Sequence, residues 1–246
     1  MKTVLAIGAT LVALIVAPAL AADMAAPVLK APAPVWNWTG FYVGLNAGGG
    51  FGRVNVDDED CYWCNSTHAT SAFAVAGGQL GYNLQFRSVV LGVEGDFDWA
   101  GFRPSYLLCQ FGCGSFGAGT VKMADIGTAR ARLGLAYDNA LLYLTAGGAW
   151  GEWRFDQTAT NSPGGTLRAA WADHSVHAGI VGGAGLEWKV DQNWSLRGEW
   201  LHIELAQKNV FGLAGVGAPG NGNCCRFGTS GSFDIARVGV NYLFAH

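Results

Sequence analysis

From Trp38 to the end, the chain repeats one pattern: apolar residues alternate with small or polar ones, two residues to a period, in segment after segment. Such alternation predicts strands whose two faces meet different surroundings. Residues 40–49 set Phe41, Val43, Leu45 and Ala47 on one face against Asn46 and several glycines. Residues 73–86 alternate Leu80, Tyr82, Leu84 and Phe86 with Gln79, Gly81, Asn83 and Gln85. Residues 88–99 place Val89, Leu91, Val93, Phe97 and Trp99 against Glu94, Asp96 and Asp98. In 123–137, Ala129, Ala131, Leu133 and Leu135 oppose Thr128, Arg130 and Arg132. The segment 140–152 is apolar on both faces and says least. Three more follow at 175–190, 194–204 and 233–244, whose polar faces carry Glu187 and Lys189, then Arg197 and Glu199, then Arg237 and Asn241.

The connections between these segments are alternately short and long. Arg87-Ser88, Asp138-Asn139 and Asp191-Gln192-Asn193 are turns, whereas 51–72, 100–122, 153–174 and 205–232 are long. A soluble sandwich alternates too, but it has no reason to send every long connection to one end. An even number of strands with short turns at one rim and long loops at the other predicts an all-β fold, an eight-stranded antiparallel transmembrane up-and-down barrel. Half the residues are apolar and 37 are glycine, yet beyond the N-terminus no apolar run is long enough for a membrane helix. Alternating lipid-facing strands produce that combination.

Aromatic residues gather near the expected strand ends. Trp38, Phe41, Tyr137, Trp188, Trp194, Tyr242 and Phe244 lie towards the short turns; Phe97, Trp99, Trp150, Trp153 and Trp200 lie towards the long loops. Two belts at the membrane–water interfaces are expected. The inward face would carry Glu94, Asp96, Asp98, Glu187 and Glu199 with Arg130, Arg132, Lys189, Arg197 and Arg237, five acids against five bases. Eight strands enclose a lumen that side chains just fill, so a mutually neutralising plug is expected rather than a wide aqueous pore.

Residues 1–21 read as a signal peptide: Lys2, an apolar run from Val4 to Val16, and Ala19-Leu20-Ala21 as the cleavage site. Its loss would take Lys2 away and move the formal charge from −3 to −4. That acidity gives no support to nucleic-acid binding. Residues 22–37, rich in Ala and Pro, read as an extended periplasmic lead-in, with the barrel over 38–246.

All six cysteines fall in the expected external loops: Cys61, Cys64, Cys109, Cys113, Cys224 and Cys225. An even number in an exported chain points to disulfides, and the spacing alone selects no pairing. Cys61-x-x-Cys64 beside His68 is also zinc-like spacing, but the oxidising compartment favours disulfides, and neither a metal nor a cofactor is expected. Gly112-x-Gly114-x-x-Gly117 lacks the βαβ setting of a dinucleotide loop. His174, Ser175, His177 and His202 read as residues of a wet rim, not a catalytic set.

Trp38-Thr39-Gly40-Phe41-Tyr42-Val43-Gly44-x-Asn46-x-Gly48, Gly81-Tyr82-Asn83, Leu91-Gly92-Val93-Glu94-Gly95-Asp96-Phe97, Arg130-x-Arg132-x-Gly134, Arg197-x-Glu199-Trp200 and Val238-Gly239-Val240-Asn241-Tyr242-x-Phe244 together resemble the Omp25/Omp31-type outer-membrane proteins of α-proteobacteria. The resemblance covers nearly everything after residue 36. It implies an eight-stranded surface barrel, often immunogenic, that contributes to envelope integrity; the expected role is structural and non-enzymatic. Two features depart from it: Ala245-His246 follow the terminal aromatic, and the loops carry cysteines. The expected partners are outer-membrane lipid and lipopolysaccharide and the outer-membrane assembly machinery, with ligand or host contact through the external loops. A narrow porin for small solutes is the alternative reading.

Overall fold

A computed structural model describes residues 36–58, 66–109, 116–160, 167–211 and 226–244. Among the described residues, nine strands form one antiparallel sheet: β1 (Gly40–Asp58), β2 (Ser66–Phe86), β3 (Val89–Phe102), β4 (Ser105–Cys109), β5 (Phe116–Tyr137), β6 (Ala140–Thr160), β7 (Leu167–Lys189), β8 (Trp194–Phe211) and β9 (Arg226–Phe244). The order β3-β2-β1-β9-β8-β7-β6-β5-β4 is closed by a further pairing of β3 with β5. Because β3 and β4 both pair with β5 and are separated by Arg103-Pro104, they are one wall strand in two pieces. The ring is thus eight-stranded. First and last strands meet, Phe41 opposite Phe244.

Three tight connections match the sequence expectation. Arg87 and Asp138 turn the chain with φ of 56° and 53°, the left-handed geometry a two-residue hairpin demands. At the third, Asp191 Oδ1 accepts from the backbone amides of Asn193 and Trp194 at 2.8 and 2.7 Å.

The long connections differ from expectation. Much of 51–72, 100–122, 153–174 and 205–232 is strand, so the wall continues well past the outer aromatic belt. Side chains there still alternate, but in the opposite sense. Val54, Val56, Phe102, Val121, Phe155 and Phe227 point inward, and Arg53, Asn55, Arg154 and Asp156 point outward. The sequence reading followed apolar residues as lipid-facing and lost the strands where water replaces lipid. Cys109 ends β4; the other five cysteines, the signal segment and the lead-in before residue 36 lie outside the described residues.

Above the belt the ring also divides. The β2–β3 ladder ends at Val75 opposite Ala100, and the β7–β8 ladder ends at Gly179 opposite Leu205. Register shifts between Trp99 and Phe102, Met123 and Ile126, and Leu205 and Lys208 mark this level, where bulges bend the strands. Beyond it, β8-β9-β1-β2 and β4-β5-β6-β7 continue as two four-stranded sheets. Their inner faces form one apolar cluster, with Trp153 edge-on to Phe233 at 6.1 Å and Phe155 against Phe227 at 6.0 Å.

Gly147 lies opposite Arg130, where a Cβ would sit 2.0 Å from the Ala129 carbonyl oxygen. Detergent-extracted protein is expected to migrate faster in a denaturing gel before boiling than after. Gly147→Val is expected to lose the fast form, because backbone cannot yield as a flexible side chain would. One position with or without boiling for the unaltered chain would exclude the closed ring.

Candidate functional site

Five strands deliver charge to one level of the lumen by the same parity. β3 supplies Glu94, Asp96 and Asp98, β5 Arg130 and Arg132, β7 Glu187, β8 Arg197 and Glu199, and β9 Arg237; all are buried. Side chains two residues apart on a strand share a face, so i, i+2, i+4 spacing stacks acids along β3 opposite bases on β5. Glu94 faces Arg130 in register, as Glu199 faces Arg237.

The bonding crosses the lumen. Glu94 accepts from Arg130 at 2.5 Å, from Arg197 at 2.5 and 3.1 Å, and from the Tyr42 hydroxyl at 2.6 Å. Glu199 accepts from Arg130 at 3.0 Å, Arg197 at 3.0 Å, Arg237 Nε at 2.9 Å and the Tyr143 hydroxyl at 3.0 Å. Asp96 joins Arg130 at 2.7 Å to Arg237 at 3.1 Å and accepts from Thr128 at 2.6 Å. Asp98 takes Arg237 at 2.5 Å and Asn46 at 2.9 Å. Glu187 lies opposite Arg197 in register, yet its ion pair is with Arg132 on β5, one strand beyond β6, supported by Ser195 at 2.5 Å and Asn241 at 2.8 Å. Arg132 also stands over the Tyr143 ring at 3.6 Å.

This arrangement is a filled lumen. Each carboxylate is bonded to a guanidinium, whose planar fork suits several acceptors at once. Lys189 differs from its expected place in the charge network. It is buried at the short-turn mouth, donating to the carbonyls of Asn37 at 2.6 Å and Gln192 at 3.2 Å.

Trp38 corrects the belt assignment. It is 1% exposed and packs with Val90, Leu141 and Tyr143 below the charges, with Lys189 Nζ 5.2 Å from its ring. It precedes β1, so strand alternation does not fix its direction. Its amide is held by Gln85 Oε1 at 2.7 Å, and the lumen mouth offers both apolar contact and a cation. Trp153 likewise belongs to the upper core and stacks on His177 at 4.3 Å. Phe41, Trp99, Trp150, Trp188, Trp194, Trp200 and Phe244 present exposed rings outward. Tyr242 is half-buried between Trp194 and Phe244, 5.0 Å from each.

Sequence reasoning missed Tyr42 and Tyr143. Tyr42 sits at an inward position by parity with Gly44 and Asn46; Tyr143 is masked by apolar neighbours on both faces of β6. The upper apolar core was missed altogether. Among the rim residues, Ser175 Oγ lies 3.3 Å from His177 Nε2, and His174 Nε2 lies 2.5 Å from Glu152.

Set beside known proteins, residues 7–244 match the family model described as an outer membrane protein beta-barrel domain. The chain is 33% identical over 249 residues to the 31 kDa outer-membrane immunogenic protein of Brucella melitensis, covering 96% of this chain and 98% of that one. It is 28% identical over 243 residues to the 25 kDa outer-membrane immunogenic protein of the same organism, covering 93% and 92%. The solved structure of OprG from Pseudomonas aeruginosa overlays with a TM-score of 0.44 at 11% identity, over 85% of this chain and 97% of that one.

Glu199→Gln would strand parts of three guanidiniums and is expected to lower stability by about 3–5 kcal/mol. Tyr143→Phe removes one bond to a charged group, worth about 1.5–3 kcal/mol. Urea titration of the fast-migrating form in detergent reads both. Equal stability for Glu199→Gln and the unaltered chain would show that the charges do not act as one network.

Proposed function

We propose that this chain, which belongs to the outer membrane protein β-barrel domain family, is a non-conducting, non-enzymatic surface protein of the outer membrane that contributes to envelope integrity and displays its outer extension to the exterior. The observation that carries the reading is a lumen closed in two different ways. Paired charges fill the membrane level, and an apolar cluster fills the level above it. A narrow porin needs a continuous path of water. Here a solute would first have to part the upper aromatic rings and then separate buried ions, whose desolvation costs several kcal/mol each.

The outward band from Phe41 and Leu45 to Trp99 and Trp200 suits outer-membrane lipid, with lipopolysaccharide sugars at the height of Arg53, Glu152 and His202. A strand ending in Phe244 suits recognition by the outer-membrane assembly machinery. Disulfides among the loop cysteines would brace the same exterior surface, where a ligand or host contact would form. Ser175 and His177 support no hydrolytic role in this reading, since the imidazole stacks within the apolar cluster.

In planar bilayers the purified protein is expected to give no steady single-channel openings. Regular, reproducible openings would replace this reading with the porin. Reductant is expected to change the migration of unboiled protein if the loops are bridged, and identical migration in its presence would remove the bracing role.

A further inference from the structure

The two seams that open above the belt are not equivalent. Between β7 and β8, Lys208 Nζ donates to the carbonyl of Val176 at 3.1 Å, so a side chain bridges the parted edges. Between β2 and β4 the ladders run only away from the seam. Ser66–Ala74 pairs with β1, and Ser105–Cys109 pairs with β5. Among the described residues, no strand pairs with the facing edges of these two segments.

The opening has local causes in the chain. The β2–β3 ladder stops at Ala100, the register shift between Trp99 and Phe102 bends the strand there, and Arg103-Pro104 separates β3 from β4. A groove of about 690 Å³ lies at the seam on the outer face, lined by Thr67 and His68 of β2, Ser105 and Leu107 of β4, and Thr120 and Asp156 behind them.

We infer that this seam is a strand-addition site: it takes an extended polypeptide segment that pairs through its main chain with the free edges of β2 and β4. An unpaired edge presents N–H and C=O groups at the spacing of an extended chain, and adding a strand satisfies them. Two edges facing one space offer a ladder on each side. The incoming side chains then alternate between the inner and outer faces of the wall. A saccharide fits less well because its hydroxyls do not repeat at strand spacing. An acyl chain belongs below the belt, where the wall is apolar.

Strands sit about 4.8 Å apart, so an inserted strand needs its neighbours roughly 10 Å apart. Cα atoms of β2 and β4 approach within 8 Å, so the two outer sheets must part by at least about 2 Å to admit it. The inference rests on the proposed function in one respect, that this end of the barrel faces outward. Pairing itself is a property of the seam and can be tested where sidedness plays no part.

Hydrogen–deuterium exchange of the whole chain in detergent micelles provides the test. Without a ligand, the seam-facing amides of 66–74 and 105–109 are expected to exchange at least about tenfold faster than those of 48–57 in β1. The probe is a short synthetic peptide alternating Thr and Val between terminal Lys residues. It is expected to slow the seam amides by about tenfold, while the same peptide N-methylated on alternate residues does not. The β7 amides of 167–178 should not respond. The inference is overturned if the seam amides are already slow, if the peptide leaves them unchanged, or if the N-methylated peptide protects equally. Protection by maltohexaose in place of the peptide would overturn it in favour of a saccharide site. Loss of the inference would leave the non-conducting barrel standing, just as bilayer openings would not touch the exchange result.

Discussion

Everything in this structure depends on the backbone amide's need for a partner. In hydrocarbon an unpaired N–H or C=O costs several kcal/mol, so a sheet crossing a bilayer cannot end in an open edge. The pairing of Phe41 with Phe244 and of β3 with β5 removes both edges. Closure then sets the size of the lumen. Once eight strands close, the space inside is only wide enough for side chains, and what fills it must satisfy itself away from water.

Two solutions to that filling problem lie in sequence along the axis. Within the membrane the fill is ionic, and its distances explain why arginine dominates. Arg130, Arg197 and Arg237 each reach more than one carboxylate, which a lysine ammonium could not do in the same plane. Above the membrane the fill is apolar. There the outside of the wall meets water, and residues such as Phe102, Phe155 and Phe233 gain by facing inward.

The same change of solvent explains why the ring divides where it does. The division coincides with the outer belt of Trp99, Trp150 and Trp200. Water can solvate an edge that lipid cannot, so the constraint forcing closure lapses at this level. Two sheets facing each other across Phe233 and Trp153 replace one cylinder. The freed edges are the property on which strand addition at the β2–β4 seam depends.

Much of this was legible in the sequence, because period-two alternation carries both strand direction and face. Seven of the eight membrane segments and the inward direction of Glu94, Arg130 and Glu199 follow from parity, and the turns at Arg87 and Asp138 from the short gaps between segments. Parity says which way a side chain points, but not which partner it finds. That Glu187 bonds Arg132 rather than its register neighbour Arg197 was decided by the curvature that brings β5 and β7 together over β6, and the same closure carries Arg197 across the lumen to Glu94. Trp38 lies outside any strand, so nothing local fixed its direction, and the closed mouth did. The outer strands were hidden for a further reason. Apolar residues face out in lipid and in when water surrounds the wall, and where that sign changes is set by the height of each segment above the bilayer, which only the assembled barrel defines.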